Sequence, residues 1–305
     1  MPPLSSALLA LPLLLAACSG KEDVPLGSGG GDGGGVSERC PNGMTEVAAA
    51  TVDLGETDTE LLETYFGSAI PLQRTTLGDY CIGTFPLPGF AGQDWTTDGL
   101  AVQQLEQVET LLAAHNRRLC TTAELLYGAA GPENWRHPYA AEQRDDTACD
   151  PDDQNPSPLG TFPGCESPLG LRDFEVRSSW SVLDETTASG LYEAWPSGFP
   201  GGGRYAAYGA TSDAATYYAP TNFSVHFHGD GEDPYTNNGL RVCADVDRVD
   251  SAVEADWTAS ITTLREVGTF AVWLDPSLAT EDTGTGDTGT GDTGTGDTGT
   301  GGTGD

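Results

Sequence analysis

Lysine is almost missing from this 305-residue chain: Lys21 is the only one, and the formal net charge is −33. Binding to duplex nucleic acid needs clustered cations against the phosphates, so nucleic acid is excluded as an expected partner. Such acidity favours solubility and divalent cations instead. The chain also lacks any run of about 20 apolar residues, the length needed to cross a bilayer as a helix. No pair of cysteines has CxxC spacing, which removes the usual signature of a zinc site. GxSxG, P-loop and HExxH motifs are absent as well, so no nucleophile or phosphate cradle is legible as a motif.

What is present begins with an apolar stretch from Ala7 to Ala17 that ends in Leu15-Ala16-Ala17-Cys18. Its length suits a signal-peptide core. The small residues before Cys18 resemble the lipobox of bacterial lipoproteins, whose thiol is acylated before cleavage. The expectation is therefore a signal peptide over 1–17 and lipidation at Cys18. Residues 18–39 then form a Gly-rich tether with too little apolar surface to fold. The chain is expected in the bacterial cell envelope, at the outer membrane or cell surface, held by its lipid and not spanning the bilayer.

Setting Cys18 aside leaves Cys40, Cys81, Cys120, Cys149, Cys165 and Cys243. An even number in an exported chain implies three disulfides, whose connectivity is open. Cys149–Cys165 is the favoured pair, because it closes a Pro/Asp/Gly-rich loop with little helix or strand character. The C-terminal segment 280–305 is a DTGTG repeat without apolar residues and is expected to be a solvated stalk. Its aspartates Asp282, Asp287, Asp292 and Asp297 are too sparse for an EF-hand-type calcium loop.

Between tether and tail, about 240 residues over 40–279 are enough for one domain. Thr57 and Glu60 predict a capping box before Leu61, Leu62, Tyr65 and Phe66, with Gly67 as the stop. A helix is predicted from about Gly99 to Asn116 with Leu105, Val108, Leu111 and Leu112 as its apolar stripe. Thr121 and Glu124 predict a second capping box, ended by Gly131 and Pro132. Alternation predicts strands at Asn222–His228, at Leu240, Val242, Ala244 and Val246, and at Phe270, Val272 and Leu274. Long Pro/Gly/Asp loops fill 131–170 and 184–216, and the fold class is a loop-rich α+β domain.

Several segments, in order, resemble the formylglycine-generating enzyme (sulfatase-modifying factor) family. They are CPNGM at 40–44, TVDLG at 51–55, DYCI at 79–82, RRLCTTAELLYGAAG at 117–131 and WRHPY at 135–139. They continue with ACD at 148–150, PLGTFPGCESPLGLRDF at 158–174, GGGRY at 201–205 and NGLRVC at 238–243. The resemblance covers 40–245 and implies a variant of the C-type lectin fold. In the enzymes a cysteine pair after the segment similar to GGGRY binds copper(I), a soft metal that needs thiolates. Here 201–241 holds no cysteine, so formylglycine generation is expected to be absent. Arg177, near an asparagine in the family's calcium-binding segment, is expected to repel that ion.

Two sets of metal-binding candidates remain. His226 and His228 share one strand face, and His115, His137 or a carboxylate could complete a site; a polar solvent face beside an apolar one is the favoured reading of the pair. Asp145, Asp146, Asp150, Asp152 and Asp153 offer hard oxygens of the kind calcium prefers, with Asp150 and Asp152 the named ligands; a solvated loop is the other reading. Calcium is the one cofactor this set suits. The expected function is a membrane-anchored, non-catalytic binding module for a glycan or envelope protein, with Trp180, Trp195, Tyr205 and Tyr208 as contact aromatics. The competing expectation is a metal-dependent enzyme of altered chemistry using His226, His228 and the acidic loop.

Overall fold

The computed structural model describes residues 39–64, 69–96, 100, 102–140, 148–149, 157–174, 178–182, 205–208, 225–226, 238–247 and 249–283. All of them lie in the second of two compact units, Ser37–Asp305. The expectations for Cys18, the tether, Gly67, Gly99 and the repeat after Thr283 fall outside the described residues.

The domain is α+β, built on small and mainly antiparallel sheets. Strands β1 (Met44–Val47), β4 (Tyr80–Gly83), β10 (Val242–Asp245) and β5 (Arg118–Leu119) form the first sheet in the order β1-β4-β10-β5. All three pairings are antiparallel. The sequence suggests that residues 240–246 alternate between core and solvent, but the structure buries Leu240, Arg241, Val242, Cys243 and Ala244 in succession. Both faces of this sheet are covered, so its central strands carry continuous buried runs.

Helix α3 (Thr122–Ala130) packs on one face, where Leu125 and Leu126 share a core with Ile82 and Cys243. Helix α2 (Leu105–Ala114) lies on the other face, where Leu105, Val108 and Leu112 meet Leu119 and Val242. The predicted stripe of α2 is thus the buried one, with Leu111 partly buried. The helix itself starts later than predicted, after a 3-10 turn at Val102–Gln104.

Helix α3 follows its sequence signals closely. The Thr121 side chain accepts from the Glu124 amide, and the Glu124 side chain accepts from the Thr121 amide. Gly131 ends the helix at φ +66°, its N–H donating to the Tyr127 carbonyl at 2.8 Å. Gly128 is needed for close packing: a Cβ there would lie 3.1–3.3 Å from Leu171, Ile82 and Phe174. Replacing Thr121 by alanine is expected to lower stability by about 1 kcal/mol, measured by denaturant unfolding, through loss of the cap.

Two local expectations need correction. Helix α1 (Thr59–Thr64) is capped by Asp58 and not by Thr57: the Asp58 carboxylate accepts from the Glu60 and Leu61 amides at 2.9 and 3.3 Å. The Thr57 and Asp58 amides are held by the buried Glu56 carboxylate, which shifts the start by one residue. Residues Phe270–Leu274 form helix α5 rather than a strand. Thr269 caps it, and Phe270 and Trp273 are buried three residues apart. Over five residues a period of two mimicked the helical face.

The longest described helix, α4 (Ser251–Val267), lies beyond the segments of resemblance. Asp250 caps it, Gly268 ends it in a left-handed conformation, and Trp257, Ile261 and Leu264 are buried at helical spacing. These residues join the α2 side of the core. The domain therefore includes the C-terminal helices as core elements.

The hairpin of β2 (Ala50–Leu54) and β3 (Gln73–Leu77) pairs Ala50 with Leu77 through to Leu54 with Gln73. A second four-stranded sheet runs β8 (Val225–His226), β7 (Tyr205–Tyr208), β6 (Ser178–Val182) and β9 (Asn238–Gly239). The Val182 amide donates to the Cys120 carbonyl at 3.0 Å, which joins the two sheets where β5 leads into α3.

Candidate functional site

The thiols come first, because any copper chemistry depends on them. Cys40 is bonded to Cys81, Cys120 to Cys243, and Cys149 to Cys165, the last as the sequence suggested. All six sulfurs are buried residues' side chains. None of the six is left as a thiolate.

The charged residues inside the resembling segments act as framework. Arg118 donates to both Glu124 carboxylate oxygens at 2.7 Å and to Asp245 at 2.9 Å, bracing the strand against the first turn of α3. Arg241 is 1 % exposed; it donates to the carbonyls of Gly83 at 2.7 Å and Thr84 at 3.0 Å, and to that of Arg172. Its guanidinium lies 4.0 Å from the centre of the Phe174 ring. A buried cation bound to carbonyls fastens loops to the sheet and offers nothing to a substrate.

Asp173 completes this knot. It is buried at φ +57°, and its carboxylate accepts from the Gly160 amide at 2.8 Å. Burial pushes the carboxyl above its ordinary range, against the opposing pull of the Gly160 amide, Arg241 and Arg172. The folded carboxyl thus binds its proton more tightly than the unfolded one. Its contribution to stability is full below the ordinary carboxylate range and is lost as pH rises through the raised value. Asp173→Asn stays neutral, keeps an acceptor for Gly160 and tolerates positive φ. Its stability relative to the parent should rise between about pH 3 and pH 7, read from thermal unfolding at each pH.

The histidines do not gather among the described residues. His115 ends α2 with Nδ1 donating to the Leu111 carbonyl at 2.7 Å, while Nε2 lies 3.3 Å from Asp256. Its ring meets Trp257 edge-on at 5.4 Å. His137 is buried in its own turn, where its backbone pairs with Ala140 and its ring stacks on Tyr139 at 5.9 Å. His226 sits in β8 opposite Ala207, but its side chain lies outside the described residues, as do His228, Asp145, Asp146, Asp150, Asp152 and Asp153. Among the described residues no group of three or more His, Cys, Asp or Glu could hold a metal ion.

Of the aromatics proposed as contacts, Tyr205 is half-buried and donates to Glu109 at 2.7 Å, tying β7 to α2. It is framework before it is surface. The side chains of Trp180, Trp195 and Tyr208, together with Arg177, lie outside the described residues. What the second sheet does fix is the origin of three connections, 183–204, 209–224 and 227–237, which all leave from its strands. The antiparallel β6–β7 and β7–β8 pairs bound the first two, and the third ends at β9, which pairs with β6 in parallel.

Sequence reasoning missed one polar feature. A cleft of about 340 Å³ lies where the connection from β10 to α4 meets the start of β5. Asn116, Arg118, Asp245, Asp247 and Asp250 line it, and at its wall the buried Arg117 donates to Glu254 at 2.8 Å. Asp245 and Asp250 are already engaged, one by Arg118 and one as the α4 cap.

Every described arginine has such a partner. Arg39 binds Glu46 and Asp79, Arg74 binds Asp53, Arg136 binds Glu56, Arg172 binds Glu166, and Arg265 binds Gln93. With Arg117, Arg118 and Arg241, every described guanidinium has a polar partner within the domain. No protein-family profile matches the chain, and no curated protein matches it.

Proposed function

We propose that this chain is a lipid-anchored, non-catalytic binding module displayed on the bacterial cell envelope, with a formylglycine-generating-enzyme-like variant of the C-type lectin fold. The fold reading draws support from where the resembling segments meet. CPNGM leads into β1, DYCI supplies β4, RRLC supplies β5 and NGLRVC leads into β10, and these four strands are neighbours in one sheet. Cys120–Cys243 then links two of those segments across 123 residues.

The observation that supports the absence of formylglycine generation in this reading is the fate of sulfur. Copper(I) needs soft thiolates, and the six cysteines of the domain are all in disulfides. Three disulfides also suit an oxidising compartment outside the cytoplasm, in line with the signal-peptide and lipobox pattern ending at Cys18. Among the described residues no helix is long and apolar enough to cross a membrane; the anchor in this reading is the lipid on Cys18. A glycan or an envelope protein is the partner in this reading, and the net charge of −33 weighs against nucleic acid.

The test uses the mature lipoprotein purified without reductant. A thiol reagent added after unfolding in denaturant should label no cysteine of the domain, and arrays of glycans and envelope peptides should yield a saturable ligand. Two adjacent thiols that label and bind copper(I) would overturn the non-catalytic reading. Folded protein that is silent across both arrays would overturn the binding role.

A further inference from the structure

We draw no further inference here: the strongest candidate, the acidic cleft where the β10–α4 connection meets the start of β5, is rimmed by carboxylates with no second feature among the described residues that points to a ligand, and the buried Arg117 and Glu254 at its wall already satisfy each other.

Discussion

Replacing both Cys120 and Cys243 by alanine is expected to remove about 5 kcal/mol of stability, the largest loss of the three disulfide pairs. The reasoning rests on the unfolded chain. A crosslink between residues 123 apart denies that chain many conformations, and the entropy withheld grows with the logarithm of the loop. The same relation gives about 4 kcal/mol for Cys40–Cys81, separated by 41 residues, and about 3 kcal/mol for Cys149–Cys165, separated by 16. Alanine pairs avoid the free thiols that single replacements would leave. Guanidinium unfolding of the three double variants, without reductant, reads the order directly. If the Cys149–Cys165 variant lost most, loop entropy would not be what these bonds supply. Position adds to the expectation: both Cys120 and Cys243 are fully buried, so alanine also leaves a void beside α3.

The pairing of these cysteines illustrates what a sequence reveals and what it hides. Cys149 and Cys165 close a short Pro/Asp/Gly-rich loop with little helix or strand character, and that logic is local. The partners of Cys40 and Cys120 follow only from the order β1-β4-β10-β5, which brings together residues far apart in the chain. Helix α3 was legible because Thr121, Glu124 and Gly131 state its ends within eleven residues. Helix α4 carries signals just as local in Asp250, Trp257, Ile261, Leu264 and Gly268, although it lies past the resembling segments. The helix at Phe270–Leu274 was misread because five residues are too few to separate a period of two from one of 3.6.

Function was less legible than fold for a physical reason. The residues that make the resembling segments recognisable, Arg118, Glu124, Asp173 and Arg241, hold carbonyls, caps and each other. They preserve an architecture whatever chemistry it hosts. Recognition in folded domains is carried in large part by loops on a rigid frame, and here residues 183–204, 209–224 and 227–237 lie outside the described ones. Their composition, rich in glycine, aspartate and tyrosine, does not name a ligand.

Glu254→Ala is expected to destabilise the domain by about 3–5 kcal/mol. Arg117 has a side chain only 1 % exposed, and Glu254 is its one carboxylate partner, at 2.8 Å. Burial already lowers the Arg117 pKa, with Glu254 pulling the other way, so the guanidinium is costly to hold even when paired. Without Glu254 it keeps only the His115 carbonyl at 2.8 Å and the face of Trp257 at 4.4 Å. The Asn42 amide loses its acceptor as well. Glu254→Gln retains an oxygen for these donors but no charge, so its loss should fall between those of alanine and the parent. Exchanging the pair for a methionine and a leucine removes the buried charge altogether and should recover most of the stability. Chemical unfolding of the three variants separates the effects. Equal, small losses for alanine and glutamine would mean that water reaches Arg117 through the adjoining cleft and solvates it there. The expected order would instead make this pair, 137 residues apart in sequence, the electrostatic latch that fastens α4 beside β5.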